Sequence, residues 1–269
     1  MRDLNLIYVA SFNRASDGAI SKLVNKIKEE NMWTDDYKKA DYILAVGDRK
    51  ETFDFVLERY RENKKIIHLW AGEISQGTHD EVYRHSITLM SCIQLCTNEK
   101  AKERVKALCK AVDKTYRVAV IGNIMLDNMD TYLSVPLDNI PDTEYDVVLY
   151  NPPTSLEEHE IMLEINRIIN ILGDNNYIWI EPNGDKYSEL VQPYVTHKTF
   201  DRDEFLMLLY HCNRFITNSS SAYYEGQFLV SKDNIIPIGK RNRNRESKYG
   251  DMTIPNASEN VMKILRSLT

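Results

Sequence analysis

The sequence predicts an α/β protein made of two similar halves, each a parallel β-sheet covered by helices. Three observations carry the prediction. Short β-prone apolar runs alternate with stretches in which apolar residues recur at helical spacing. The alternation stops at a segment holding two prolines, 135–142, and then restarts. The chain's unusual polar residues cluster just beyond the ends of the apolar runs, where open parallel sheets bind ligands.

The first strand is expected over 4–9, leading into the polar loop Ser11-Phe12-Asn13-Arg14. Ile20, Leu23, Val24 and Ile27 fall on one helical face, which predicts a helix over 19–27. A strand over 42–46 ends at Gly47-Asp48; a helix over 52–61 and a strand over 65–69 follow. A strand over 118–121 closes the half. Beyond the break come a strand over 146–150, a helix over 156–172, a strand over 177–181, a helix over 202–212 and a strand over 214–217. The expected domains are residues 1–141 and 142–255, with a helix within 256–269 returning to the first domain.

With 269 residues, 43% hydrophobic and 28% charged, the chain is large enough for two modest domains with real cores. No apolar run approaches the roughly 20 residues needed to cross a bilayer, and the N-terminus shows no signal-peptide core. No membrane partner and a cytoplasmic location are therefore expected. Cys92, Cys96, Cys109 and Cys212 form neither CxxC pairs nor a disulfide framework and read as free thiols. No cluster is spaced to hold a metal, so no metal or other cofactor is expected. The net charge of −6 disfavours nucleic acid, except at 240–248, where five positive charges stand against one negative.

The loops are more informative. Gly47-Asp48-Arg49-Lys50-Glu51 is followed by His68-Leu69-Trp70-Ala71-Gly72-Glu73, and then by Gly77-Thr78-His79-Asp80-Glu81 with Arg84-His85-Ser86-Ile87-Thr88. Further on come Ile121-Gly122-Asn123 with Leu126-Asp127, then Pro182-Asn183-Gly184-Asp185. Asn218-Ser219-Ser220-Ser221 with Glu225, and the run from Ile238-Gly239 to Arg245, complete the series. In this order the segments closely resemble the hydrolysing UDP-N-acetylglucosamine 2-epimerases, especially the branch supplying sugars for sialic-acid-like products. Asn13-Arg14-Ala15 is a weaker echo of the same family's N-terminal turn.

The resemblance implies the GT-B architecture: two Rossmann-like domains with a UDP-sugar held in the cleft between them. It implies a metal-free reaction in which a carboxylate removes the C2 proton while UDP leaves C1, and a group on the opposite face acts when the glycal-like intermediate is rehydrated. Asp48, Glu73 and Asp80 match the acidic residues assigned to that work. Ser219, Ser220 and Ser221 are expected to present backbone N–H groups and hydroxyls to phosphate from a helix beginning near Ala222, and Glu225 to accept from ribose hydroxyls. Arg14, His85, Asn151, Asn183 and Arg241 are the remaining candidate substrate contacts. The implied partner is a UDP-sugar, with room for a homodimer.

Each residue also has a plainer reading: Asp48 or the serines as helix caps, His85 as a packing residue, Glu73 and Asp80 as surface carboxylates. The sequence departs from the family pattern at Ala71 and Leu89, where glycine and lysine are usual, and at Asn242 and Asn244. The stretch 28–41 is short, as though a strand and a helix were missing. Above all, Asn151 stands where the family places a histidine, and asparagine cannot move a proton near neutral pH. Two alternatives therefore accompany epimerisation. One is a compact GT-B glycosyltransferase, its acceptor read from 240–248 as anionic, such as modified phage DNA. The other is a non-catalytic nucleotide-sugar binder, which clustered carboxylates argue against.

Overall fold

A computed structural model describes residues 5–12, 17–74, 80–127, 143–240 and 254–268. Arg14, His79, Arg241 and residues 242–248 of the basic segment lie outside these residues. The chain divides into two compact units, each a purely parallel sheet.

In the first unit, β1 (Ile7–Ala10), β2 (Tyr42–Val46), β3 (Lys65–Leu69), β4 (Ile93–Cys96) and β5 (Arg117–Val120) lie side by side in chain order. Helices α1 (Asp17–Glu29), α2 (Lys50–Arg61), α3 (Asp80–Met90) and α4 (Glu99–Ala111) connect them. The twofold alternation of β2 explains the layering. Leu44 and Val46 face one core together with Ile20, Leu23 and Ile27 of α1, while Ile43 and Ala45 face another with Val56 of α2 and Ile87 of α3. Strands buried on both faces read as continuous apolar runs, which is why β2 is legible as a block of five. The outer edge of β1 is partly covered: Ile7 N–H donates to the Met32 carbonyl at 2.6 Å, and Thr34 N–H donates to the Ile7 carbonyl at 3.1 Å.

In the second unit, β6 (Asp146–Leu149), β7 (Tyr177–Trp179), β8 (Arg214–Thr217) and β9 (Ile235–Pro237) are ordered β7-β6-β8-β9. Helix α5 (Glu158–Leu172) packs Ile161, Ile165, Ile168 and Leu172 against Val148 and Ile216. Helix α6 (Arg202–His211) packs Leu208 and Leu209 against Val147 and Phe215. Because the chain steps from β6 to one side and then returns to the other, the gap between β6 and β8 is a topological switch point, the place where such sheets hold ligands. The first unit, stepping always in one direction, has no such reversal among its five strands.

The last helix, α7 (Ala257–Arg266), packs Val261, Met262 and Leu265 into the core that α1 shares. Its first turn is closed by a carboxylate from elsewhere: Asp127 accepts from Ala257 N–H at 2.8 Å and from Ser258 N–H at 2.6 Å. Asn260 adds a bond to the Ile121 carbonyl at 3.0 Å. Residues 121–127 therefore dock this helix. Asp127→Ala is expected to cost about 1–2 kcal/mol of stability, the scale of a lost cap, read as a lower urea midpoint with an unchanged slope.

Candidate active site

The first unit gathers its polar residues around one arginine. Helix α3 turns Arg84, Ile87 and Thr88 inward, at the i, i+3, i+4 spacing of a single face. Arg84 is 1% exposed and reaches three partners among the described residues. It pairs with Asp48, donates to the Glu73 main-chain carbonyl at 3.0 Å, and donates to Glu81 Oε1 at 2.9 Å. Asp48 follows β2 and Glu73 follows β3, so one side chain ties together the carboxyl-terminal loops of two adjacent strands. A planar five-donor guanidinium can do this, whereas a lysine cannot.

The two carboxylates differ in setting. The Asp48 side chain keeps 23% of its surface open. Glu73 is buried and accepts from the Thr97 hydroxyl. Asp80, half-buried, opens α3 four residues before Arg84 and so lies one turn away on the same face. His85 pairs with Glu81 at 3.2 Å, and its Nδ1 is enclosed without a hydrogen-bonding partner among the described residues.

A second histidine braces this arrangement. His68 on β3 is wholly buried, with Nε2 2.8 Å from the Gly47 carbonyl and Nδ1 3.0 Å from Thr88 Oγ1. The consistent tautomer donates from Nε2 to the carbonyl and accepts at Nδ1 from the hydroxyl. His68 thus fastens the turn carrying Asp48 to the helix carrying Arg84. Gly47 and Gly72, with φ of +78° each, allow the two turns; a side chain at Gly72 would collide with the Ala101 carbonyl and Val105.

Burial lowers the His68 pKa from 6.5 to about 4. Between those values the unfolded chain binds a proton that the folded chain refuses, so stability falls as pH drops from 6.5 toward 4 and is unaffected by this group above 6.5. The full effect is about 3 kcal/mol at about 1.4 kcal/mol per unit. Urea unfolding of the wild type and His68→Gln across pH 7.5 to 4 is expected to show this extra loss in the wild type alone.

The second unit's polar residues meet at the switch point. Asn151 after β6 and Asn218 after β8 are joined reciprocally. Asn151 N–H donates to Asn218 Oδ1 at 2.9 Å, and Asn218 Nδ2 donates to the Asn151 carbonyl at 2.7 Å. The Asn151 side-chain Oδ1 then accepts from Asn183 N–H at 2.8 Å, drawing in the loop after β7. Asn183 Nδ2 donates to Asp185 at 2.6 Å. Three loops are stitched together by side-chain amides.

The serine turn is tightly self-bonded. Ser219 N–H donates to Thr217 Oγ1 at 2.9 Å and Ser221 N–H to Ser219 Oγ at 3.2 Å, with the Ser219 and Ser221 hydroxyls 3.1 Å apart. Ser220, half-buried, accepts through its carbonyl from Tyr223 N–H at 2.9 Å. The element that follows is a π-helical turn, Ala222–Gly226, running into one helical turn, Gln227–Leu229. Glu225 lies within the π turn, 4% exposed, and is paired with Arg202 of α6 at 3.3 Å. Among the described residues no group of three or more His, Cys, Asp or Glu is gathered as a metal site would require, and the four cysteines are free.

A family model described as UDP-N-acetylglucosamine 2-epimerase matches residues 7–269. The chain belongs to the UDP-N-acetylglucosamine 2-epimerase family. It is 28% identical over 239 residues to polysialic acid biosynthesis protein P7 of Escherichia coli, covering 80% of this chain and 59% of that one. It is 27% identical over 225 residues to the UDP-N,N'-diacetylbacillosamine 2-epimerase (hydrolyzing) of Legionella pneumophila, covering 77% and 58%. The chain thus spans under three-fifths of the length of these relatives. Among solved structures, the UDP-GlcNAc 2-epimerase of Methanocaldococcus jannaschii, in complex with UDP-GlcNAc and UDP, superposes with a TM-score of 0.66 at 16% identity, covering 95% of this chain and 82% of that one. The Neisseria meningitidis enzyme bound to UDP-GlcNAc gives 0.62 at 15%, covering 96% and 82%. The fold is accordingly the α/β GT-B fold.

Within this epimerase family, two departures acquire physical reasons. Ala71, in place of glycine, packs its methyl among Cys96, Ala101 and Val105. Asn151, in place of histidine, uses its side-chain oxygen to hold the neighbouring loop. His68 and Arg84 stand in the quoted motifs with no role assigned to them, and Thr97 and Arg202 were not picked out from sequence. Arg84 stands beside His85 in the quoted motif and four residues after an acid, a helical pairing signal. Thr97 and Arg202 carry no motif, and only coordinates bring them to their carboxylates.

Proposed function

We propose that this chain binds a 2-acetamido UDP-sugar and catalyses UDP-N-acetylglucosamine 2-epimerase-type chemistry. The C2–H bond breaks, its proton passing to a carboxylate, as the C1–oxygen bond breaks and UDP departs. Water then adds to the unsaturated sugar: hydroxyl to C1, and a proton to C2 from the opposite face. The free 2-epimer results.

The observation that carries this reading is the buried Arg84 holding Asp48 beside the main chain of Glu73 at the ends of neighbouring strands. Asp48, the more open carboxylate, is assigned as the base at C2. Glu73, clasped by Thr97, and Asp80, one helical turn from Arg84, supply the acidic surround. The stitched loops of the second unit are assigned to the nucleotide, with Ser219 to Ser221 at the diphosphate and Glu225 at the ribose. Asn183 and His85 complete the binding set. The reaction as written requires no metal, and four free cysteines favour a reducing, cytoplasmic compartment.

Incubation with UDP-N-acetylglucosamine or its diacetylbacillosamine counterpart, without any acceptor, is expected to yield UDP and free sugar in equal amounts, unaltered by EDTA. UDP release that needs an added acceptor, or no release from either compound, overturns the proposal.

Asn151 limits the rate in this account, because it fills a proton donor's position without being one. A histidine there can accept from Asn183 N–H through Nδ1, which lies about where Asn151 Oδ1 does, and leave Nε2–H for catalysis. Asn151→His is therefore expected to raise kcat by about 100-fold, the lower end of acid–base contributions, measured as initial UDP release at pH 7.

A further inference from the structure

The buried pair between Arg202 and Glu225 answers to no sequence motif. The two side chains are 11% and 6% exposed, and Arg202 Nη1 donates to Glu225 Oε1 at 3.3 Å. A buried carboxylate stripped of its cation would be strongly disfavoured as an anion and would take up a proton, turning from a pure acceptor into a donor.

Both partners are fixed from behind. Arg202 is the first residue of α6, whose start is closed by a capping box: Glu204 N–H donates to Asp201 Oδ1 at 2.9 Å, and Asp201 N–H to Glu204 Oε2 at 3.0 Å. Glu225 sits in a π turn, a form that recurs at functional sites. The next residue, Gly226, lies so close to Phe215 that an added Cβ would come within 3.1 Å of its ring. In doubly wound sheets a carboxylate at the ligand-binding end of the sheet is a usual acceptor for ribose hydroxyls.

We infer that Arg202 is a positioning residue that sets nucleotide specificity: it fixes Glu225 as an acceptor and so makes the site read the 2′- and 3′-hydroxyls of a ribonucleotide. This rests on the UDP-sugar reading above. Arg202 touches no reacting atom; it acts through Glu225.

The test compares dissociation constants for UDP and 2′,3′-dideoxy-UDP by calorimetry. The wild type is expected to prefer UDP by about 10–100-fold, the range for hydrogen bonds to a charged acceptor. Arg202→Met is expected to weaken UDP until the ratio approaches one, leaving dideoxy-UDP within about twofold, and Arg202→Lys to recover part of the ratio. Glu225→Gln, nearly isosteric but uncharged, is expected to lower the ratio to about fivefold or less and serves if Arg202→Met does not fold.

A variant that weakens both nucleotides equally has lost only structure, and that result overturns the inference, as does a Glu225→Gln protein that keeps the preference. A wild type that binds both equally tightly overturns it too, while leaving UDP binding intact. A wild type that binds neither removes the UDP-sugar reading and this inference with it.

Discussion

Asp48→Asn is expected to lower kcat for UDP release by about 10²–10⁴-fold, the usual contribution of a positioned acid or base, with UDP affinity within about threefold of wild type. The substitution is nearly isosteric. An amide oxygen can still accept from Arg84, so the turn after β2 keeps its anchor. What disappears is the lone pair able to take a proton from carbon at neutral pH. Arg84 keeps its bonds to Glu81 and to the Glu73 carbonyl, so the fold is expected to survive. Stopped assays under saturating substrate separate the loss in kcat from any change in KM. Turnover within tenfold of wild type removes Asp48 as the base.

Arg84→Met is expected to have the largest effect on stability, about 3 kcal/mol. Breaking a buried pair typically costs 3–5 kcal/mol because the partner is left uncompensated; the lower end applies because the Asp48 side chain is 23% exposed and retains some water. Methionine fills much of the volume, so the loss reports the donors withdrawn from Asp48, Glu81 and the Glu73 carbonyl rather than a cavity. Arg84→Lys is expected to recover less than half, since a point charge cannot serve three acceptors in one plane. Urea unfolding monitored by tryptophan fluorescence measures both. A loss under 1 kcal/mol for Arg84→Met would mean that the network contributes little.

These two residues mark how far the sequence could be read. The strands at 42–46, 65–69 and 214–217 were legible to the residue: the first is an unbroken apolar run buried on both faces, and the other two set β-branched or aromatic residues behind an opening basic residue. β4, Ile93-Gln94-Leu95-Cys96, was not: it is short and carries a glutamine. Gln94 is tolerated in the core because its amide donates to the Thr88 and Ser91 carbonyls at the end of the preceding helix, a local satisfaction that no hydrophobic pattern announces. β9 ends in a proline at the sheet edge, where a missing N–H costs nothing. Its three residues were too few to stand out.

The site was legible in its loops but not in its connections. Asp48 and Glu73 could be picked out by motif, yet the residue joining them is an arginine on a helix. Asn151 could be recognised as a departure, but not as the hinge of an amide network spanning three loops. The serine run suggested free donors. The Ser219 and Ser221 N–H groups are instead engaged within the turn, because hydroxyls two residues apart offer nearer partners than a ligand does.

The most direct test of the central claim, that C2 loses its proton, is turnover of UDP-N-acetylglucosamine in D₂O with mass and NMR analysis of the released sugar. One deuterium per molecule, located at C2, is predicted. A released sugar that keeps its original hydrogen at C2 would contradict the account.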